Sequence, residues 1–315
     1  MTKEKELVNF QTTQKPTTRN GLIELYRFLF AMWVVWYHGF FAFKNQFFNH
    51  GYIAVEFFFI LSGFYIIKSI DKQSDKPFFT GLWQMLWSRI KALGLPFIVG
   101  LIFAFWYMIL DGQISMLGYL WYIPYMLLSF VLVYVLKRLI KNKAIFISCL
   151  VGIVVISYLL LYIPILEGWG LFRGFGGVCL GVLFSQIPKI NLKIKSFNFN
   201  WIITGLLFGI VLYLAYLPKE NLVSEYFLVL LLMPMLIYFT NTLNVNCKFL
   251  IFLGSLSFGL YAYQCVLRVF EIYVPLEQHW LFLMLIAMVL IDKVIDFVYK
   301  TIKRKKEQKK DSQAQ

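Results

Sequence analysis

Three ionisable residues interrupt the first apolar run of the sequence, Leu22 to Phe43: Glu24, Arg27 and His38. Charged groups in hydrocarbon cost several kcal/mol, so those present face a bundle interior and have partners. At ~100° per residue, the eleven steps from Arg27 to His38 return a helix to within roughly 20° of register, and Glu24 lies within about 60° of both. The three form one polar stripe, with Arg27 and His38 about 16 Å apart along the axis. Glu56 stands about one turn into the second apolar run, Tyr52 to Ile70, and a short loop between the runs sets it at the depth of His38. A carboxylate beside an imidazole orients the ring, holds its tautomer and raises its basicity, which equips the pair for general acid–base chemistry. An intramembrane histidine also serves as a hydrogen-bond donor in helix packing. The aligned Arg27 and the depth-matched Glu56 favour chemistry at His38.

The remaining ionisable residues read differently. His50 and His279 fall in outward loops and are expected to be solvated. Asp292 and Asp296 lie one turn apart in the last apolar run with Lys293 between them, an ion-pair cluster near the cytoplasmic end. Cys149, Cys179, Cys247 and Cys265 show no CxxC spacing, so neither a disulfide framework nor a metal site is expected.

The elements that must hold these side chains follow from composition. With 60% hydrophobic and 15% charged residues among 315, the chain carries more apolar surface than a soluble core can bury, and the surplus faces lipid. Aromatic residues make up 19%, enough to anchor helix ends at the membrane interfaces. A spanning helix needs ~20 apolar residues. Runs near that length lie at 22–43, 52–70, 95–110, 117–136, 144–163, 171–187, 201–217, 222–240, 249–270 and 280–299. The third is short and is expected to begin earlier, near Leu82, with an interfacial amphipathic piece. The first lacks a small-residue cleavage site, so it reads as a retained helix rather than a signal peptide.

If ten helices alternate, 24 of the 30 basic residues fall on one side and only Lys44 and Lys219 on the other. That asymmetry puts both termini in the cytoplasm. The net charge of +14 is spread between apolar runs rather than gathered on a soluble domain, which excludes nucleic acid as a partner. The expected fold is therefore all-α and integral to the cytoplasmic membrane: a multi-pass bundle of about ten transmembrane helices over residues 21–303. A polar, mobile N-terminal tail is expected at 1–20 and a basic, mobile C-terminal tail at 304–315, the latter a topology anchor near anionic lipid. No internal repeat is evident, and no soluble domain is expected after the tenth run.

Five segments carry a resemblance to a known family. Arg27 and His38 stand with ten residues between them. GYIAVEFFFILSGF, residues 51–64, is the most specific; GYLWYIPYMLL holds Trp121 and Tyr122; FRGFGGVCLGVLFS holds Arg173; LGSLSFGLYAYQ holds Ser257, Tyr261 and Gln264. Together they resemble the membrane acyltransferase-3 family, which modifies cell-surface glycans and related acceptors. The resemblance implies that acyl-CoA, most often acetyl-CoA, comes from the cytoplasm as donor substrate, with no permanently bound cofactor or metal. The acyl group passes to a hydroxyl of a glycan such as a capsular polysaccharide or exopolysaccharide. In that reading Arg27, Arg89 and Lys91 bind the CoA phosphates. His38, assisted by Glu56, acts as general base or takes the acyl group itself. Glu24, Ser62, Trp121, Tyr122, Arg173, Ser257, Tyr261 and Gln264 support the site. Two departures stand out. Gln264 occupies a position where the family often has histidine, and an amide cannot act as a base. Only Arg89 and Lys91 precede Pro96, where the family tends to show several arginines. A transporter or flippase for a glycan or lipid-linked precursor, and a scaffolding subunit, are the competing functions.

Overall fold

The computed structural model describes residues 19–38, 51–111, 120–161, 170–190, 192–194, 197–216, 222–274 and 277–313. The chain starts its first helix, α1 (Gly21–Tyr37), at Asn20, whose side chain accepts from the Leu22 N–H as an N-cap. The Asn20 amide also donates to the carbonyls of Thr240 and Leu243, and the Gly21 N–H donates to Val245 O at 2.7 Å. Asn20, expected to lie in a mobile tail, is thus a clamp between the start of α1 and the segment after α9. A 3-10 turn (Gly51–Ile53) leads into α2 (Ala54–Asp71). Then follow α3 (Phe78–Asp111), α4 (Tyr122–Leu139), α5 (Lys143–Leu160) and α6 (Gly170–Ser185). A two-residue antiparallel hairpin, β1 (Lys193–Ile194) with β2 (Phe197–Asn198), precedes α7 (Asn200–Tyr216). Next come α8 (Leu222–Phe227), a π turn (Leu228–Leu232) and α9 (Met233–Thr242), then α10 (Lys248–Ala262), α11 (Gln264–Tyr273) and α12 (Gln278–Gln313).

The described part of each of the ten apolar runs is mainly helical. Among the described residues, six helices are long and apolar enough to cross a membrane: Gly51–Asp71, Phe78–Trp106, Tyr122–Leu139, Lys143–Leu160, Glu225–Thr242 and Lys248–Leu267. Two more, Gly170–Ser185 and Asn200–Leu214, are apolar but shorter. The protein is a multi-pass helical membrane protein.

The element α3 starts at Phe78, ahead of the apolar run, and breaks at Gly94, whose φ of 65° lies in the left-handed region that glycine adopts without penalty. Before the break, Phe79, Trp83 and Trp87 form one exposed aromatic row, with Thr80, Gln84 and Ser88 exposed beside it. Such a split face suits the membrane interface. The run at 249–270, read as one helix, is divided at Tyr263, which separates α10 from α11. The C-terminal segment expected to be mobile continues α12 to Gln313. Pairs at four-residue spacing, Asp296 with Lys300 and Lys303 with Glu307, support that extension, and neither glycine nor proline interrupts it.

At the centre lies α2, buried on most of its faces and packed chiefly against α6. Lipid tails are as apolar as leucine, so helices in a membrane associate by close packing, which favours small residues. A Cβ on Gly181 would stand 1.9 Å from Ile60 O, and one on Gly63 would stand 2.0 Å from Val178 O. The two backbones touch because these positions have no side chain. Gly181→Ala must part α2 from α6 and is predicted to cost ~1–3 kcal/mol, read as a lower melting temperature in detergent. Gly205→Ala, with nothing within 4 Å of the added carbon, should melt at or above the native temperature.

Candidate functional site

His38 is the C-cap of α1 and has left the helical conformation (φ −78°, ψ 5°). Facing it is the break between α10 and α11, where Gln264 opens α11 and is 1% exposed. The Gln264 Nε2 donates to Leu260 O at 3.1 Å, so its Oε1 is the atom turned to His38, 2.5 Å from Nδ1. An amide oxygen only accepts, which puts the imidazole proton on Nδ1. In the neutral ring the lone pair then sits on Nε2.

Glu56 does not supply that hydrogen bond. Its carboxylate, 4% exposed, is taken by Arg173 of α6, with Nε 2.5 Å from Oε1, and by the Tyr158 hydroxyl of α5 at 3.3 Å from Oε2. A buried carboxylate demands a cation, and the close approach of α6 to α2 delivers one. Arg173 also donates from Nη2 to Tyr52 O at 2.7 Å and lies over the Trp121 ring, 4.9 Å from its centroid. The sequence-based pairing of His38 with Glu56 is therefore replaced by two pairs, His38 with Gln264 and Arg173 with Glu56.

Both pairs border one cavity of about 430 Å³, lined by His38, Arg173, Trp121, Tyr261, Tyr37, Tyr52 and Tyr125 among others. Five aromatic rings and one guanidinium thus share the lining of this cavity with the imidazole. The Tyr52 hydroxyl, at its margin, donates to Glu225. Tyr37, Tyr52, Tyr125, Tyr158 and Glu225 were not singled out from the sequence. Glu225, an acidic residue near the start of an apolar run, carried the same signal that exposed Glu56.

The other sequence-derived residues distribute around this centre. Ser62 and Tyr122 join hydroxyl to hydroxyl at 3.1 Å, and the Tyr122 ring meets that of Tyr261 edge-on at 6.0 Å. At the opposite end of α1, Arg27 pairs with Glu24 at 2.8 Å. There the side chain of Glu24 covers Gly254, where α1 packs on α10. Arg27 is not among the cavity-lining residues. Arg89 lies over the Phe130 ring at 5.8 Å and Lys91 over Trp87 at 5.3 Å, both on the stretch of α3 before Gly94. Ser257 bonds back to Gly254 O within α10 and serves the helix. Asp292 pairs with Lys293 at 3.5 Å, whereas Asp296 turns to Lys300, so the expected cluster divides. His279 is exposed beside Glu277, and His50 lies outside the described residues.

Residues 20–291 match the family model of an acyltransferase domain, which takes in α1 through most of the apolar part of α12. No curated protein and no solved structure matches the chain.

Removing one partner of a buried ion pair leaves an uncompensated charge. Arg173→Leu is therefore predicted to destabilise by about 3–5 kcal/mol. The double variant Glu56→Leu/Arg173→Leu should recover much of that loss. Thermal unfolding in one detergent checks both, and a double variant no more stable than the single would refute the coupling.

Proposed function

The chain belongs to the acyltransferase-3 family, and from that membership we propose that this membrane acyltransferase is an O-acyltransferase. It moves an acyl group, acetyl by preference, from cytoplasmic acyl-CoA to a hydroxyl of a cell-surface or exported polysaccharide. The observation that carries the reading is the 2.5 Å contact between His38 Nδ1 and Gln264 Oε1 at the wall of an aromatic cavity. With Nδ1 holding its proton, Nε2 is the atom that accepts one from the acceptor hydroxyl. The hydroxyl oxygen bonds to the thioester carbon, the C–S bond breaks, and the proton on Nε2 passes to the departing thiolate. Gln264 performs the orienting part of a dyad without being a base itself. It thereby answers the departure from the family pattern at that position.

The acceptor class draws support from the cavity lining. Tyr37, Tyr52, Trp121, Tyr125 and Tyr261 offer flat apolar faces together with polar edges, and Arg173 offers a cation. That combination suits a sugar ring, with one face apolar and its rim hydroxylated. The donor side rests on Arg27, Arg89 and Lys91, which the charge asymmetry assigns to the cytoplasmic half along with both termini of a ten-span bundle in the cell membrane. Glu24 beside Arg27 fixes the guanidinium at the foot of the stripe.

Substitution of His38 by alanine is expected to lower acyl transfer ~10²–10⁴-fold. The readout is the acetyl content of surface polysaccharide in cells that carry the variant as their sole copy. Full acetyl content in those cells would sink the transferase reading. Gln264→Leu should lose part of that activity, and Gln264→Glu, which still accepts from Nδ1–H, should retain more than the leucine variant.

A further inference from the structure

Tyr261 has a hydroxyl proton that the bundle does not use. The residue is 8% exposed; its oxygen lies against the Tyr122 backbone N–H, and its proton has no acceptor among the described residues. Other buried tyrosine hydroxyls are engaged: Tyr122 with Ser62, Tyr158 with Glu56, Tyr134 with Phe78 O. An unsatisfied buried polar group costs ~1–3 kcal/mol, so a native structure that keeps one calls for an explanation. Tyr261 lies on the wall of the cavity that holds His38. It is also three residues before Gln264, across the α10–α11 junction that grips the imidazole.

The proposed acyl transfer lacks one component. As the acceptor oxygen bonds to the thioester carbon, the C=O electron pair moves onto the carbonyl oxygen and needs a donor. Arg173, the cation of the cavity, already spends Nε on Glu56 and Nη2 on Tyr52 O. We propose that the Tyr261 hydroxyl donates to the thioester carbonyl oxygen and stabilises the oxyanion that forms there. This assignment rests on the acyltransferase reading with His38 as base. Collapse of the intermediate restores C=O, breaks C–S, and sends the proton on His38 Nε2 to the CoA thiolate. Tyr261 keeps its own proton throughout. Donors aimed where charge develops in a water-poor site are worth ~10²–10³ in rate each.

The test is Tyr261→Phe in the full chain in lipid nanodiscs. The donor is acetyl-CoA, the acceptor is de-O-acetylated surface polysaccharide from the same cells, and free thiol is the readout. The variant should turn over ~10²-fold more slowly, with the KM for acetyl-CoA within about threefold of native. Its melting temperature should stay close to native, because the lost hydroxyl proton had no acceptor. A kcat within about threefold of native would overturn the assignment, as would a raised KM with unchanged kcat. A lowered melting temperature alongside a slow rate would overturn it too, since that marks a structural role. His38→Ala runs in parallel: retained activity there defeats the underlying reading, whereas an inactive His38→Ala with a fast Tyr261→Phe defeats only the oxyanion role.

Discussion

A carboxylate buried in the first turn of an apolar helix obliges the rest of the bundle to bring it a cation. Glu56 imposes that constraint on α2, and Arg173 of α6 meets it. The ion pair forms only if the two helices come into backbone contact, and Gly63 and Gly181 permit that contact. Tyr158 of α5 closes on the second oxygen. Three helices are thereby fixed in rotation and depth relative to one another. The positions of Tyr52 and Trp121, which touch the same guanidinium, follow from that arrangement. The wall of the cavity is thus a by-product of burying one negative charge.

The opposite wall is built by a different device. A helix that ends at His38 and a helix break at Tyr263 present an imidazole and an amide to each other across the cavity margin. Interruptions of regular helix free side chains from the packing stripe and turn them toward open space. The same logic applies to Gly94, where α3 changes from an interfacial helix with exposed aromatics to an apolar one. The helix interruptions at His38 and Tyr263 bring the imidazole and the Gln264 amide together, whereas Glu56, Arg173 and Tyr158 meet from continuous helices.

Much of this was legible in the sequence, for reasons that differ by residue. Apolar runs located the helices because hydrocarbon tolerates few other backbone forms. Glu24, Arg27 and His38 announced themselves because ionisable groups in such runs are rare and costly. The identity of partners was not legible. Helical periodicity sets a residue's azimuth on its own helix, yet says nothing of which neighbour packs there. Glu56 was therefore matched to His38 by depth, while the glycines that pull Arg173 close gave no visible sign of doing so. Gln264 reads in the sequence as a supporting residue that cannot act as a base, and its contact with Nδ1–H depends on a helix break hidden inside a continuous apolar run. The basic segment after Lys303 looked like a loose tail because its charges were counted without their four-residue pairing.

The clamp at the start of α1 has a consequence for how this segment can vary. Asn20 holds one end to Thr240 and Leu243, and His38 holds the other to Gln264, with seventeen helical residues between. Side chains along that stretch can change as long as they pack, but its length cannot. One residue inserted or deleted turns everything beyond it by ~100° and shifts it by ~1.5 Å. With one end tethered to the end of α9 and the other to the start of α11, no rigid rotation or slide of α1 restores the two attachments together. The segment is a gauge block: its residue count sets the distance from the clamp to the imidazole.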